Sequence, residues 1–574
     1  MFKKYFLAPH WRRMLINAFI KISGTLFEVV LPTILAHLIN QVVPRENRKE
    51  IWLWGLFMLF CSFMAWILNV TANRMASKTS ALTIREIRQD LFYRSIHLSA
   101  RQIDQIGVSS LETRLTSDSY VIHRFLSALM RMGLRSTFLF LGGVIFCVSL
   151  SWRLSFVLLL LILPLGYTIS SILGQSRPMF RELQRKIDDM VQVIRENIRG
   201  IRVSKALVKT NYEKERFAKA NAIVKNQESK AMRRMASLPP LVNFILFFGL
   251  AAVIVYGGYL SNLGLVQVGT VIAFISYFFQ ITNSLLAMNR MFGIYNRSQA
   301  SAERIEQLLS LPMDEHQEDD SQKLDLPESN PEVPEIEFRD VSFSYLGKKN
   351  NLQGLSFRLM PGESLGIMGA TGSGKSTILR LLLRQYEVDS GEILIRGIPL
   401  QKLKLEQFRS ILGMAFQNDF LFGGSIRDNI RFGRELSDSS LDTAAMHAQA
   451  EFIQEKEGGL DFKLASKAVN LSGGQKQRLL LSRAFAGLPE ILILDNASSA
   501  LDYQTEAQLR KAIKEEYQNV TSIIIAQRIS SIKDAEQILF LENGEILAIG
   551  KHKELLENCP EYKEIAEIQM GSAA

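Results

Sequence analysis

At 574 residues the chain is too long for one hydrophobic core, so at least two domains are expected. Three cysteines, Cys61, Cys147 and Cys559, give no disulfide framework, and the first two fall inside apolar stretches. The net charge of +10 would suit nucleic-acid binding, but the basic residues cluster between apolar spans, as in the inner loops of a membrane protein, so no nucleic-acid partner is expected.

The first residues, Met1-Phe2-Lys3-Lys4-Tyr5, show no short apolar run followed by a small-residue cleavage site, so no cleavable signal is expected. Six segments then offer the roughly 20 apolar residues that a bilayer core of about 30 Å requires. They run over Met14–Ile39, Ile51–Ala72, Ser127–Leu150, Leu154–Leu173, Leu238–Tyr259 and Val268–Phe292. The gaps after the first, third and fifth are short. Those after the second and fourth hold about 50 to 60 residues, and Arg177–Arg234 alone carries sixteen Lys/Arg. With Lys3, Lys4, Arg12 and Arg13 ahead of the first span, this bias places the N-terminus and both long segments inside a multi-pass protein of the cell membrane. Arg45, Arg48 and Lys49 run against it.

Both long segments read as helices that extend the spans beyond the membrane: Arg85–Phe92 and Val191–Ile198 have amphipathic spacing and no proline. Each arm contains one break. Gly107–Arg114 reads as a short capped helix, with Ser109 three residues before Glu112 as in a capping box, and Thr210–Glu215 is similar.

Glu28, one turn before Pro32, falls within the first span, where a carboxylate is costly. It is read either as a ligand for a cation or polar substrate, or as a hydrogen-bonded structural group between helices. Phe244, Phe247, Phe248, Phe274, Phe278, Phe279, Met288, Met291 and Phe292 offer an adaptable apolar lining, or a surface for lipid and neighbouring helices. The composition changes after Leu311-Pro312. Asp314–Asp320 and three later prolines read as an acidic linker over 311–335, separating a membrane domain (1–310) from a soluble α/β domain (336–574). Gly571–Ala574 carries no function.

In that soluble domain the strand Ser364–Met368 runs into Gly369-Ala370-Thr371-Gly372-Ser373-Gly374-Lys375-Ser376, and Thr377–Leu383 continues as a helix. This is a phosphate-binding loop: backbone N–H groups cradle phosphates, Lys375 supplies a point charge, and Ser376 is a Mg²⁺ ligand. Downstream come Leu471-Ser472-Gly473-Gly474-Gln475 and an apolar strand ending in Asp495.

The order and spacing of these motifs resemble the ATP-binding cassette (ABC) proteins, and the six-span layout extends the resemblance to half-transporters of the exporter type. Importers differ in span layout and usually carry their membrane domains on separate chains. The resemblance implies an all-α six-helix membrane domain followed by an α/β P-loop ATPase, acting on ATP with Mg²⁺. The short helices in the arms would couple the two. Tyr345 matches the aromatic that stacks on adenine, and Gln417 the glutamine that contacts Mg²⁺ and senses coupling. Asp495 matches the acid that holds Mg²⁺ through water, and Ser499-Ala500-Leu501-Asp502 the loop after it. Thr377 completes the P-loop, and Ser472, Gly473, Gly474 and Gln475 would face the P-loop of a second chain.

Three positions depart from the family pattern. Asn496 stands where a general-base Glu follows the acid, Gln527 where a His faces the γ-phosphate, and Ala465-Ser466-Lys467-Ala468 where a Gly/Glu-rich segment precedes the signature. A carboxamide orients water but accepts no proton. An intact signature beside a weakened base resembles the degenerate-site half of heterodimeric bacterial exporters. That implies a partner half-transporter bearing Glu and His, and amphipathic cargo: drugs, lipids or peptides. The alternatives are a homodimeric lipid or peptide flippase, and a nucleotide-gated regulatory subunit without transport of its own.

Overall fold

The computed structural model describes residues 3–313, 323–345, 351–417 and 419–570; the acidic run 314–320 and the last four residues lie outside them. By its contacts the chain divides into two compact units, Met1–Tyr93 with Glu112–Ser310, and Arg94–Leu111 with Leu311–Ala574.

The first unit is helical. Its long helices include Ala8–His37, Arg48–Ile96, Trp152–Arg199, Thr210–Ala236, Leu238–Asn262 and Val268–Ser310. At 1.5 Å per residue the 49 residues of Arg48–Ile96 reach about 74 Å, more than twice a bilayer core of roughly 30 Å. The spans therefore do continue as long arms. Five helical stretches among the described residues carry an apolar window long enough to cross a membrane. The remaining expected span, Leu154–Leu173, falls within Trp152–Arg199. Only 11–39 % of the residues in the five windows are buried, so most of this apolar surface needs lipid or another chain to cover it.

Polar anchors set the packing inside this unit. The buried Tyr277 hydroxyl donates to the Val29 carbonyl at 2.7 Å and lies 2.6 Å from Thr33 Oγ1, tying the last membrane helix to the first. Asn40 accepts from the Gly269 amide at 2.7 Å. In an apolar setting such bonds are kept because the alternative is an unsatisfied polar group.

The first arm breaks at Gly107, inside the expected stretch, with Val108–Thr113 as a short helix there, but without the expected cap; the second arm breaks ahead of its expected stretch. A capping box does occur, but at Ser99 and Gln102, and it starts the short helix Ala100–Ile106. Gly107 ends that helix with φ +79°, which only glycine adopts without strain, and Ser109 lies inside the next helix, Val108–Thr113. In the second arm the short helix is Ile201–Ala206, set between Gly200 and Val208; Thr210 already opens the next long helix. The backbone turn at the glycine, and not the polar cluster after it, decides each boundary.

The second unit is built on a six-stranded sheet. Its spatial order is Glu545–Gly550, Gln537–Glu542, Ser364–Gly369, Thr521–Ile525, Ile491–Asp495 and Leu412–Ala415. Five strands run parallel and the Glu545–Gly550 edge is antiparallel. Ser364–Gly369 and Ile491–Asp495 are near-continuous apolar runs because helices cover both faces of such a sheet. A four-stranded sheet including Ile336–Phe343 and Leu352–Leu359 packs its inward face into the same core, where Phe338 stacks on Phe357 with centroids 4.5 Å apart. A second core gathers Ile426–Arg431, Asp438–His447 and Gly473–Phe485.

Candidate functional site

The site forms at the carboxyl ends of the parallel strands, where neighbouring connections diverge and a crevice opens. Ser364–Gly369 is flanked on one side by Thr521–Ile525 and on the other by Gln537–Glu542, so the loop that leaves it emerges between them. Gly369 (φ +152°) and Gly374 (φ +105°) make this turn possible: a Cβ at Gly369 would run into the Leu541 carbonyl oxygen, and one at Gly374 would meet Leu352 at 2.5 Å. The loop ends on the helix Lys375–Leu382, with its N-terminal amides toward the crevice.

Lys375 is largely buried, and its Nζ donates to the carbonyls of Gly369 at 2.9 Å and Ala370 at 2.7 Å. Burial pulls its pKa down, and Asp495 works against that. Ser376 Oγ donates to Asp495 Oδ2 at 3.2 Å. Burial holds the Asp495 carboxyl above the usual range, while Ser376, Lys375 and Arg380 draw it down. A hydroxyl and a carboxylate this close are hard oxygen donors of the kind Mg²⁺ takes.

Asn496 follows in a left-handed conformation (φ 49°), which Asn tolerates better than most residues, and its Nδ2 lies 3.4 Å from Asp495 Oδ1. Gln417 and Gln527 are exposed at the ends of their strands. Tyr345 packs edge-on against Phe343 (4.9 Å) and Tyr386 (5.1 Å), its hydroxyl donates to Thr377 at 3.2 Å, and the Arg380 guanidinium lies 5.7 Å from its ring centre.

Ser472 and Gly473 are exposed at the N-terminus of the helix Gly473–Phe485. Ser472 and Gln475 form a capping box: Ser472 Oγ accepts from the Gln475 amide at 3.3 Å, and Gln475 Oε1 accepts from the Ser472 amide at 3.0 Å. Asp502 caps Tyr503–Glu516, and hydrogen bonds from Thr505 keep its carboxyl below the usual range. Ahead of the signature, Lys467 (φ 58°) and Ala468 (φ 47°) form a strained turn.

Residues 14–285 match the ABC transporter transmembrane region family, and residues 352–499 match the ABC transporter family. The ABC transporter ATP-binding protein YfiB of Bacillus subtilis (strain 168) is 32% identical over 99% of this chain and 98% of its own length. The chain belongs to the ABC transporters. A second family member, MT1311 of Mycobacterium tuberculosis (strain CDC 1551 / Oshkosh), is 31% identical over 99% of this chain and 97% of its own. A solved bacterial Atm1-family ABC exporter with ATP bound shares the fold, with a TM-score of 0.78, 23% identity, and coverage of 99% of this chain and all of that one. The protein is therefore a multi-pass membrane protein joined to an ABC ATPase domain.

Some groups around this ABC site carry no motif. Gln477, on the signature helix, donates to the Asn496 carbonyl at 3.0 Å and accepts from the Ala500 amide at 2.8 Å, fastening the signature to the turn after Asp495. Gln569 donates to the Gln527 carbonyl at 2.9 Å. Arg380 and Tyr386 share the Tyr345 pocket. In sequence these are ordinary residues, Gln477, Gln569 and Arg380 on helices and Tyr386 in a bend, and only tertiary placement distinguishes them. A cavity of about 950 Å³ also opens beside Phe416, lined by Phe420, Phe422, Phe432 and the half-buried Arg434 and Arg483.

In the first unit, Glu28 makes a two-pronged ion pair with Arg135, at 2.5 and 3.2 Å. Met288, Met291 and Phe292 line a second cavity, whereas Phe244, Phe247 and Phe248 are exposed.

Proposed function

We propose that this chain is the degenerate-site half of a heterodimeric exporter in the cell membrane, with its N-terminus and ATPase domain in the cytoplasm, moving amphipathic compounds outward. The observation that carries the reading is an intact signature at Ser472–Gln475, exposed at Ser472 and Gly473, on a chain whose own base and switch positions hold Asn496 and Gln527. Two such domains joined head to tail would pair each P-loop with the other chain's signature. Tyr345 stacks on adenine, the P-loop amides from Gly369 to Thr377 and Lys375 hold the phosphates, and Ser376, Asp495 and Gln417 hold Mg²⁺, which neutralises phosphate charge when bound. Asn496 orients water without taking its proton, and Asp502 joins the contact between domains. Loss of a positioned base is worth about 10²–10⁴ in rate, or roughly 3–5 kcal/mol of barrier. Hydrolysis then falls to the site formed by the partner's P-loop and this chain's Ser472.

The test is steady-state ATPase of the purified chain alone and with a co-purifying ABC half-transporter. The chain alone should be slower by at least about 10². A homodimer turning over at about 1–10³ s⁻¹, as enzymes ordinarily do, overturns the reading.

A further inference from the structure

The Glu28–Arg135 pair changes what the membrane domain is suited to bind. Lys21 lies two helical turns before Glu28 on the same helix face. It is 2% exposed, and its Nζ donates to Asn73 Oδ1 at 2.9 Å. Its charged neighbours are Arg135, Glu28 and Arg131. Arg131 is exposed, and its Nε donates to the Ser127 carbonyl at 3.2 Å. Two further cations and one carboxylate thus gather about Lys21, and that carboxylate is occupied by Arg135. Counted from Met14 at 1.5 Å per residue, Lys21 and Glu28 sit about 10 and 21 Å along the first span, within the hydrocarbon layer.

Uncompensated charge at that depth is costly, and membrane proteins keep it where a pathway or ligand uses it. A cation arriving here meets a net charge of about +2 from these four groups and no free acid. An anion supplies the missing counter-charge, and Arg guanidinium forks suit carboxylate, sulfonate and phosphate oxygens. The same turns of helix also border an apolar cavity of about 480 Å³, lined by Phe125, Met288, Met291, Phe292 and Tyr295 along with Leu129 and Gly133. One helix width, about 10 Å, separates the two faces.

We infer that Lys21, Arg131 and Arg135 form a binding site for the anionic head of an amphiphile, with Glu28 setting its strength by holding Arg135. This rests on the amphipathic-cargo reading above and narrows it to negatively charged cargo.

The full-length chain in phosphatidylcholine nanodiscs would be tested with three probes: tritiated taurocholate as a soluble anion, a fluorescent phosphatidylglycerol as an anionic lipid, and rhodamine 6G as a cation. At least one anionic probe should bind about tenfold more tightly than the cation, and which one does so identifies a soluble or a lipid source. Lys21→Gln, which keeps an amide donor for Asn73, and Arg131→Gln, on an exposed side chain, should each weaken that binding by about tenfold. Glu28→Gln should strengthen it severalfold by freeing Arg135. Thermal unfolding of each variant separates lost binding from lost fold. Tighter rhodamine binding that Glu28→Gln abolishes, or anion binding indifferent to all three substitutions, overturns this site while leaving an amphiphile exporter standing. No binding of any probe overturns both.

Discussion

The hydroxyl of Tyr386 donates a hydrogen bond to the carboxylate of Asp104, 282 residues away in the chain and on the short helix Ala100–Ile106. Burial and this carboxylate push the Tyr386 pKa up to about 12, so it remains a donor at any physiological pH. The other side of its ring meets Tyr345 edge-on. The aromatic proposed for adenine and the helix from the first arm thus share one intermediary. Ala100 packing on the core, and Gln102 donating to the Pro312 carbonyl at 3.0 Å, hold the same helix to the ATPase unit.

Tyr386→Phe is predicted to loosen this helix without harming the nucleotide pocket. A hydrogen bond to a charged group is worth about 1.5–3 kcal/mol, so amide exchange over residues 100–106 should accelerate by about tenfold or more. Exchange in the strand 364–369 should not change, and ATP affinity should stay within about threefold of the parent. Unchanged exchange over 100–106 would show that Ala100 and Gln102 hold the helix unaided.

Ser472 and Lys375 should carry unequal weight in a heterodimer, because they serve different composite sites. Ser472→Ala also removes a helix cap, at about 1 kcal/mol, so a second variant is needed. Ser472→Asp keeps the cap and sets a negative charge against the partner's bound phosphate. Both should nearly abolish turnover of the complex, whereas Lys375→Ala should weaken nucleotide binding at the slow site and lower turnover less. Steady-state ATPase of the three complexes decides. Equal collapse in all three would contradict the division of labour.

Asp495 gives a prediction about pH. Its folded-state pKa is raised, chiefly by burial, so the folded protein holds this proton more tightly than the unfolded chain does. The stabilising contribution is then present at low pH and lost as pH rises through the raised pKa; at neutral pH the buried charge is a cost to the fold. Asp495→Asn should raise the unfolding midpoint of the nucleotide-free ATPase transition at pH 7, and that gain should shrink as pH falls toward 4. Calorimetry across that range checks it, with Mg²⁺-dependent ATP binding expected to weaken in the same variant. A gain that grows with acidity would reverse the sign argued here.

The shapes of the loop and the signature were legible in sequence because they are local: Gly369 to Ser376 form one continuous turn, and Ser472 to Gln475 form one cap. The long arms were legible because amphipathic helix periodicity persists along Arg85–Phe92 and Val191–Ile198, and the helix of the second arm runs on through Pro178. The cap of the first break was misplaced because a Ser-x-x-Glu pattern at Ser109 competes with the true box at Ser99 and Gln102; the second short helix, Ile201–Ala206, lies ahead of the expected Thr210–Glu215. The partner of Glu28 was not legible because Arg135, 107 residues on, lies in a different span. Pairings such as Tyr386 with Asp104, or Gln477 with Asn496, depend on which helix crosses which sheet, and no periodicity encodes that.

The slow site is predicted to keep its nucleotide. The groups proposed to bind ATP in its ground state, Tyr345, Lys375, Ser376 and Asp495, are all present, and none of those contacts requires a base. Binding should therefore survive where hydrolysis does not. One ATP should stay occluded through several turnovers at the partner's site and hold the two ATPase domains partly closed. Asn496→Glu should shorten that residence, but incompletely. Asn496 sits at φ 49°, where a Glu costs about 1–2 kcal/mol of backbone strain, and Gln527 still lacks the switch imidazole. Radiolabelled ATP trapped on the working heterodimer and followed through its loss gives the residence at each site. Two populations with well-separated lifetimes are expected, the slower shortened by Asn496→Glu. A single lifetime would mean that Asn496 and Gln527 have no consequence for the cycle.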